Sequence, residues 1–339
     1  MGAGGGRRRA VALSLETRAV ETRAAVGTLI VQEYGVAAAA IVEGPRGTVG
    51  ETFILTATSG RRYFAKLFYP RENWRAPDRS LAVLRDLRAA GIDALSYPLP
   101  STRGALSVYL GERRLLLYEF IAGRSGTSGF DFPAFVDLLA RIHQADVPAC
   151  RTLPRETFDP EVLAAWVAGM ARVWSSPGET APQIALRRFL AGYRDAILRY
   201  GQELLALAEA CQERTAPLMI THSDALAHNL LVNEAGKIYL TDWDEMLLGP
   251  PERDTWFWLY DERSTPFLRG YRRLFPAYAP DPTVCRFYLL RRFHEDFGGV
   301  FEEIDRGNVA DQQRLLDHVI ASWHVWLWDP LQMPGPRAE

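Results

Sequence analysis

The sequence predicts an α+β protein of two domains, a small strand-rich one followed by a larger, mainly helical one. Three observations predict it. Before residue 120, short alternating runs are separated by turn signals. From Asp131 onward, apolar positions recur at helical spacing. At 218–242 the helical half is interrupted by short strand-like runs that carry His, Asp and Asn among apolar residues.

Residues 14–34 have helical periodicity. "AAAAIVEG" then leads into "GPRGTVGETFILTAT" and "RRYFAKLFYP", and the pair Ser59-Gly60 between the last two is a hairpin signal. "DRSLAVLRDLRAAG" reads as a helix closed by Gly91. "ALSVYL" and "RRLLLYEFI", joined by Gly111-Glu112, form a second hairpin. Five helices are expected after that, over 131–145, 159–174, 182–214, 252–274 and 282–327. "AGRSGTSG" at 122–129 marks the boundary, which gives domains 1–120 and 121–339, with 1–12 expected as a disordered tail.

The 339 residues carry a formal net charge of −2. That gives no general case for nucleic acid or an anionic membrane. Arg7, Arg8 and Arg9 sit in the expected tail, and no run approaches the roughly 20 apolar residues that span a bilayer. Cys150, Cys211 and Cys285 are far apart, with no CxxC, so neither a disulfide framework nor a zinc site is indicated. The expectation is a soluble, reduced, cytoplasmic protein. Its only lysines are Lys66 and Lys237 in a chain otherwise committed to arginine, so a lysine inside the strand-like "YFAKLF" stands out.

The chemistry concentrates in "THSDALAHNLLV" (221–232) and "IYLTDWDE" (238–245): H-x-D-x-x-x-x-N, twelve residues, then D-W-D. Charged groups at the ends of buried strands need a partner, and a metal ion or a phosphate supplies one. Carboxylate and amide oxygens suit magnesium. Asn229 and Asp242 can share such an ion with nucleotide phosphates, while Asp224 accepts a proton from an incoming hydroxyl. Phosphoryl transfer divides its labour in this way. Any one of the three alone reads as a turn residue bonded to its own backbone; it is their joint spacing, with Lys66 upstream, that points to catalysis.

These motifs resemble the aminoglycoside phosphotransferase family. The resemblance rests on H-x-D with Ser223 between, on "IYLTDWDE", and on "LLARIHQAD" (138–146). "THSDALAHNLLVN…IYLTDWDEMLLGPPERD" is most similar to the spectinomycin phosphotransferase branch. It implies a protein-kinase-like two-lobed fold, with a five-stranded N-terminal lobe, a mainly helical C-terminal lobe and ATP in the cleft. It further implies that Lys66 holds the α- and β-phosphates and that the turn carrying Gly47 and Thr48 covers them. The same resemblance implies that the backbone of Glu119 and Ile121 meets the adenine edge and that Asp254 braces the catalytic loop, which His222 is also expected to hold. Where the family has a glutamate partner for the lysine this chain has Ser80, and Asp78 is the nearest upstream acid. His143 is read as a buried, satisfied histidine.

The implied function is ATP- and Mg2+-dependent O-phosphorylation of a small, hydroxylated, cationic molecule, an aminocyclitol or aminoglycoside antibiotic such as spectinomycin. Acceptor-side candidates are Trp256 and Trp258 for ring packing and Asp244, Asp261, Glu262 and Asp296 for charge. One alternative is a metabolic kinase for choline, homoserine or a sugar. Another is a nucleotide-binding pseudokinase scaffold, against which the complete Asp224/Asn229/Asp242 set argues.

Overall fold

The computed structural model describes residues 20–45, 49–70, 76–171, 174–175, 177–214, 217–306 and 309–326. They fold into two compact units. One gathers the chain up to Asp131 together with 147–152 and 227–245; the other gathers 132–146, 153–226 and the chain from Met246 onward.

The first unit is built on an antiparallel sheet of five strands, β1 (Ala38–Glu43), β2 (Gly50–Ala57), β3 (Arg62–Phe68), β4 (Val108–Leu110) and β5 (Arg113–Glu119), in the order β1-β2-β3-β5-β4. Gly60 and Gly111 take φ of +81° and +61° at the two hairpin turns, a conformation that costs a residue without Cβ nothing. Strand alternation sets the two faces. Phe53, Leu55, Ala65, Leu67, Leu115 and Leu117 pack with Val26 and Ile30 of helix α1 (20–34) in a closed core. Lys66 lies on the opposite face, in register with Thr52 on β2 and Leu116 on β5. Helix α2 (Ala76–Ala89) buries Leu81, Val83, Leu84 and Leu87.

The same unit holds a three-stranded sheet of β6 (Gly123–Ser125), β8 (Leu230–Asn233) and β9 (Ile238–Leu240), in the order β6-β8-β9. The turn between the last two is closed by Asn233, whose Oδ1 accepts the Lys237 amide at 2.8 Å.

The second unit is helical: α3 (Phe132–Gln144), α4 (Pro160–Ala171), α5 (Ala181–Ala191), α6 (Arg194–Gln212), α7 (Glu252–Tyr260), α8 (Ser264–Tyr271), α9 (Pro282–Arg306) and α10 (Val309–Trp326). A small sheet in it pairs β7 (Met219–Thr221) with β10 (Leu247–Gly249). On α3 the buried residues Phe135, Val136, Leu138, Leu139, Ile142 and His143 recur at helical spacing. Leu186, Leu190, Ile197, Tyr200, Leu204, Phe287, Leu290 and Phe293 form a core shared by α5, α6 and α9.

Three long helices expected from the sequence are each two. The 182–214 run breaks at Gly192-Tyr193, between α5 and α6. The 252–274 run breaks where Asp261 Oδ1 accepts the Arg263 amide at 2.9 Å, a side chain replacing the helical acceptor. The 282–327 run is described as two helices, α9 ending at Arg306 and α10 beginning at Val309. Among the described residues, no helix is long and apolar enough to cross a membrane.

Candidate functional site

On the first unit, Lys66 stands between two carboxylates of the D-W-D motif. Its Nζ donates to Asp242 Oδ1 at 2.7 Å and to Asp244 Oδ2 at 2.6 Å, and lies 4.8 Å from the centre of the Phe68 ring. Burial pulls the ammonium's pKa down, but Asp244 and Asp242 outweigh it and the net shift is upward. The Asp244 carboxyl is pushed up to about 6, by burial first and by the like charge of Asp242 beside it, against the pull of Lys66. Asp244, an acceptor-side candidate from the sequence, is here a partner of Lys66.

The side chain of Asp78 lies outside the described residues, as do Gly47 and Thr48. Ser80 is buried on α2. The described partners of Lys66 come from the strand-end motif, not from the helix.

Asp242 follows β9 with φ of +64°, a left-handed conformation that aspartate tolerates better than most residues. The preceding Thr241 donates from both its amide (2.9 Å) and its Oγ1 (3.0 Å) to the carbonyl of Asn229. These bonds tie the residue that ends the single helical turn Ala227–Asn229 to the residue that precedes Asp242. Trp243 is buried, and its Nε1 donates to the Leu240 carbonyl at 3.0 Å. Asn229 and Asp242 supply hard oxygen donors, the set magnesium favours. Among the described residues, no three His, Cys, Asp or Glu side chains gather as a metal-holding group.

Glu119 and Ile121 line a cavity of about 670 Å3 with Tyr97, Tyr118, Asn233 and Tyr239. Lys66 and Asp242 are not among its lining residues. The Glu119 carboxylate pairs with Arg61 at 2.7 Å.

On the second unit, the loop after β7 is fixed through its backbone. Asp254 Oδ2 accepts the His222 amide at 2.7 Å, and Oδ1 accepts the Ser223 amide at 2.6 Å. His143 Nε2 lies 3.0 Å from Asp254 Oδ2, and its Nδ1 lies 2.6 Å from the Tyr271 hydroxyl. Burial acts to raise the Asp254 pKa, but hydrogen bonding and charge from His143 and His222 reverse the shift, so the carboxylate stays anionic.

Ser223 takes φ of +81°, costly for a residue with a Cβ, and Arg253 Nε donates to its Oγ at 2.7 Å. The other end of Arg253 pairs with buried Glu156 at 2.6 Å. The Asp224 amide donates to His222 Nδ1 at 3.3 Å, and its Oδ1 accepts from Arg292 Nη1 at 3.0 Å.

The remaining acceptor-side candidates divide. Trp258 is fully buried; its Nε1 donates to the Ala225 carbonyl at 3.0 Å and its ring packs on Phe132 and Phe135. It supports the loop and has no face for an acceptor. Trp256 packs partly against the core of α6 and α9. Asp261 is engaged by Arg263 Nε at 2.6 Å and Nη2 at 3.0 Å, and Asp296 by Arg292 at 2.8 Å. Glu262 is exposed. Sequence reasoning missed Arg253, Arg292 and Glu156. Arg253 was readable as the neighbour of Asp254, but nothing local marks Arg292, which lies 68 residues beyond Asp224.

Residues 41–288 match the model of a family described as "Phosphotransferase enzyme family". The chain belongs to that family. It has a protein-kinase-like fold. Solved structures agree on the fold. A spectinomycin phosphotransferase, APH(9)-Ia, in complex with ADP and spectinomycin superposes with a TM-score of 0.75 at 22% identity, covering 88% of this chain and 93% of that one. An aminoglycoside phosphotransferase from Alicyclobacillus acidocaldarius gives 0.59 at 16% identity, over 89% and 93%. Amicoumacin kinase hAmiN, in complex with AMP-PNP and Ca2+, gives 0.61 at 18%, over 90% and 95%. No curated protein sequence matches the chain significantly.

Proposed function

We propose that this phosphotransferase moves the γ-phosphoryl group of ATP to a hydroxyl of a small aminocyclitol, spectinomycin or a close relative. The observation that carries the reading is the ammonium of Lys66, 2.7 Å from Asp242 across 176 positions of sequence. That contact supports reading Lys66 as a phosphate-binding cation and Asp242 as a metal-binding carboxylate of one site. Lys66 neutralises the α- and β-phosphates; Asn229 and Asp242 hold Mg2+, which when bound offsets charge on the phosphate oxygens. The backbone of Glu119 and Ile121 meets adenine, and the turn with Gly47 and Thr48 covers the phosphates. Asp224 orients the acceptor hydroxyl and takes its proton as the new O–P bond forms and the bond to the β-phosphate oxygen breaks. Asp254 and His222 keep that loop in place.

The named spectinomycin and aminoglycoside enzymes among similar structures support this acceptor class, and so does the arrangement of charge around Asp224. Arg253 and Arg292 reach the Ser223–Asp224 segment, and the acids Asp261 and Asp296 are already paired with arginines. A compact acceptor with few amines suits this balance better than a tetra-amino one. The test is kcat/KM with spectinomycin, kanamycin, choline and homoserine. Spectinomycin is expected to be preferred; equal or better turnover of kanamycin overturns the acceptor, and turnover of choline or homoserine alone moves the enzyme to the metabolic kinases.

A further inference from the structure

Arg292 sits on α9, in the second unit with Asp224, and makes two bonds. Nη1 donates to Asp224 Oδ1 at 3.0 Å and Nε donates to Asp296 Oδ2 at 2.8 Å. Asp296 lies one turn along the same helix, so the guanidinium is anchored at one end before it reaches the loop. The three side chains are 32%, 25% and 21% exposed for Arg292, Asp224 and Asp296, so water screens the pairs only in part. Burial lowers the Arg292 pKa, but Asp296 and Asp224 more than restore it, and the cation is permanent.

An aspartate has three staggered choices at χ1 and a broad χ2. A carboxylate that must meet one hydroxyl at one angle gains nothing from that freedom, and small misplacements of a reacting group are expensive. The backbone beneath Asp224 is already fixed by the bonds of Asp254 and Arg253 to Ser223. What those bonds leave undetermined is the direction of the Asp224 side chain itself.

We propose that Arg292 is the positioning residue for Asp224, tying Oδ1 so that the carboxylate faces the acceptor hydroxyl in one orientation, with Asp296 as the anchor that holds the arginine in place. The inference rests on the reading of Asp224 as the base. A guanidinium is suited to the task because its planar fork fixes direction as well as charge, which an ammonium does not.

The test uses the full chain, with spectinomycin as acceptor, and with ATP hydrolysis to water if that is the only turnover detected. R292A, R292K, D296N and D224A are compared with the parent for kcat, KM for ATP and thermal midpoint. R292A is expected to lower kcat roughly 10- to 100-fold, with KM for ATP within about 2-fold of the parent. R292K should recover only part of the loss, and D296N should show a smaller fall in kcat of the same kind. A purely structural role instead moves the thermal midpoint and the active fraction together and leaves kcat per active site unchanged; that result overturns the proposal. Parent-like kcat in R292A beside an inactive D224A overturns the role of Arg292 alone. Parent-like kcat in D224A removes the base and this proposal together. Should R292A not fold, R292K and D296N decide by the same two signatures.

Discussion

Asp254 meets three donors with two oxygens in a fully buried position, and one substitution separates charge from shape. In D254N the amide nitrogen must face a donor, so the His222 or Ser223 amide, or His143, loses its acceptor. We expect a loss of roughly 1–3 kcal/mol in folding stability, measured by denaturant titration. kcat should fall more than affinity for ATP does, because the bonds lost hold the loop of Asp224. An unchanged denaturation midpoint would show that the brace carries no energy. Lys66 offers a second test at this scale. Replacing it by methionine leaves Asp244 buried beside Asp242 with no cation between them, whereas D244N removes one of the opposed charges. The double variant K66M/D244N is expected to be more stable than the sum of the single losses by at least about 0.5 kcal/mol; strict additivity would mean that the two side chains are not coupled.

Among the elements, α9 carries a carboxyl whose contribution to stability depends on pH. Asp296 is pushed up from 3.8 to about 6 by burial, opposed by Arg292 and reinforced by Glu295 and Asp224. A carboxyl whose folded-state pKa is raised contributes stability that is complete below about pH 4 and is lost as pH rises through about 6. The full effect is at most about 3 kcal/mol. The parent should therefore lose thermal midpoint between pH 5 and pH 7.5 by more than D296N does, and equal slopes would refute the assignment. The elements were legible where local chemistry set them: the two hairpins through Ser59-Gly60 and Gly111-Glu112, α3 through its apolar spacing, and the D-W-D strand end through its polar residues. The helix breaks at Gly192-Tyr193 and at Asp261 were not, since apolar periodicity runs on through both. At Asp261 the backbone turns extended and the side chain accepts the Arg263 amide. The partners of Lys66 and of Asp224 were hidden for a different reason. Asp244 was visible as an acid, but its pairing with a strand far upstream is a tertiary fact, and so is that of Arg292 with Asp224.

For the whole molecule, the family match and the Lys66–Asp242 assembly make nucleotide binding a stability term. A ligand that binds only the folded chain stabilises it by about 2.7 kcal/mol at a hundredfold excess over its Kd. Mg-ATP should raise the thermal midpoint of the parent, chelation of the metal should reduce the rise, and D242N should lose most of it. An equal rise in D242N would place the metal elsewhere. Transfer of a phosphoryl group to a small hydroxylated acceptor, with Asp224 as the base, is tested most directly by mass spectrometry of the acceptor. Spectinomycin incubated with ATP, Mg2+ and the parent protein is predicted to gain the mass of one phosphoryl group, and with D224A to gain none over the same interval. An unmodified acceptor after incubation with the parent, or equal modification by D224A, would contradict it.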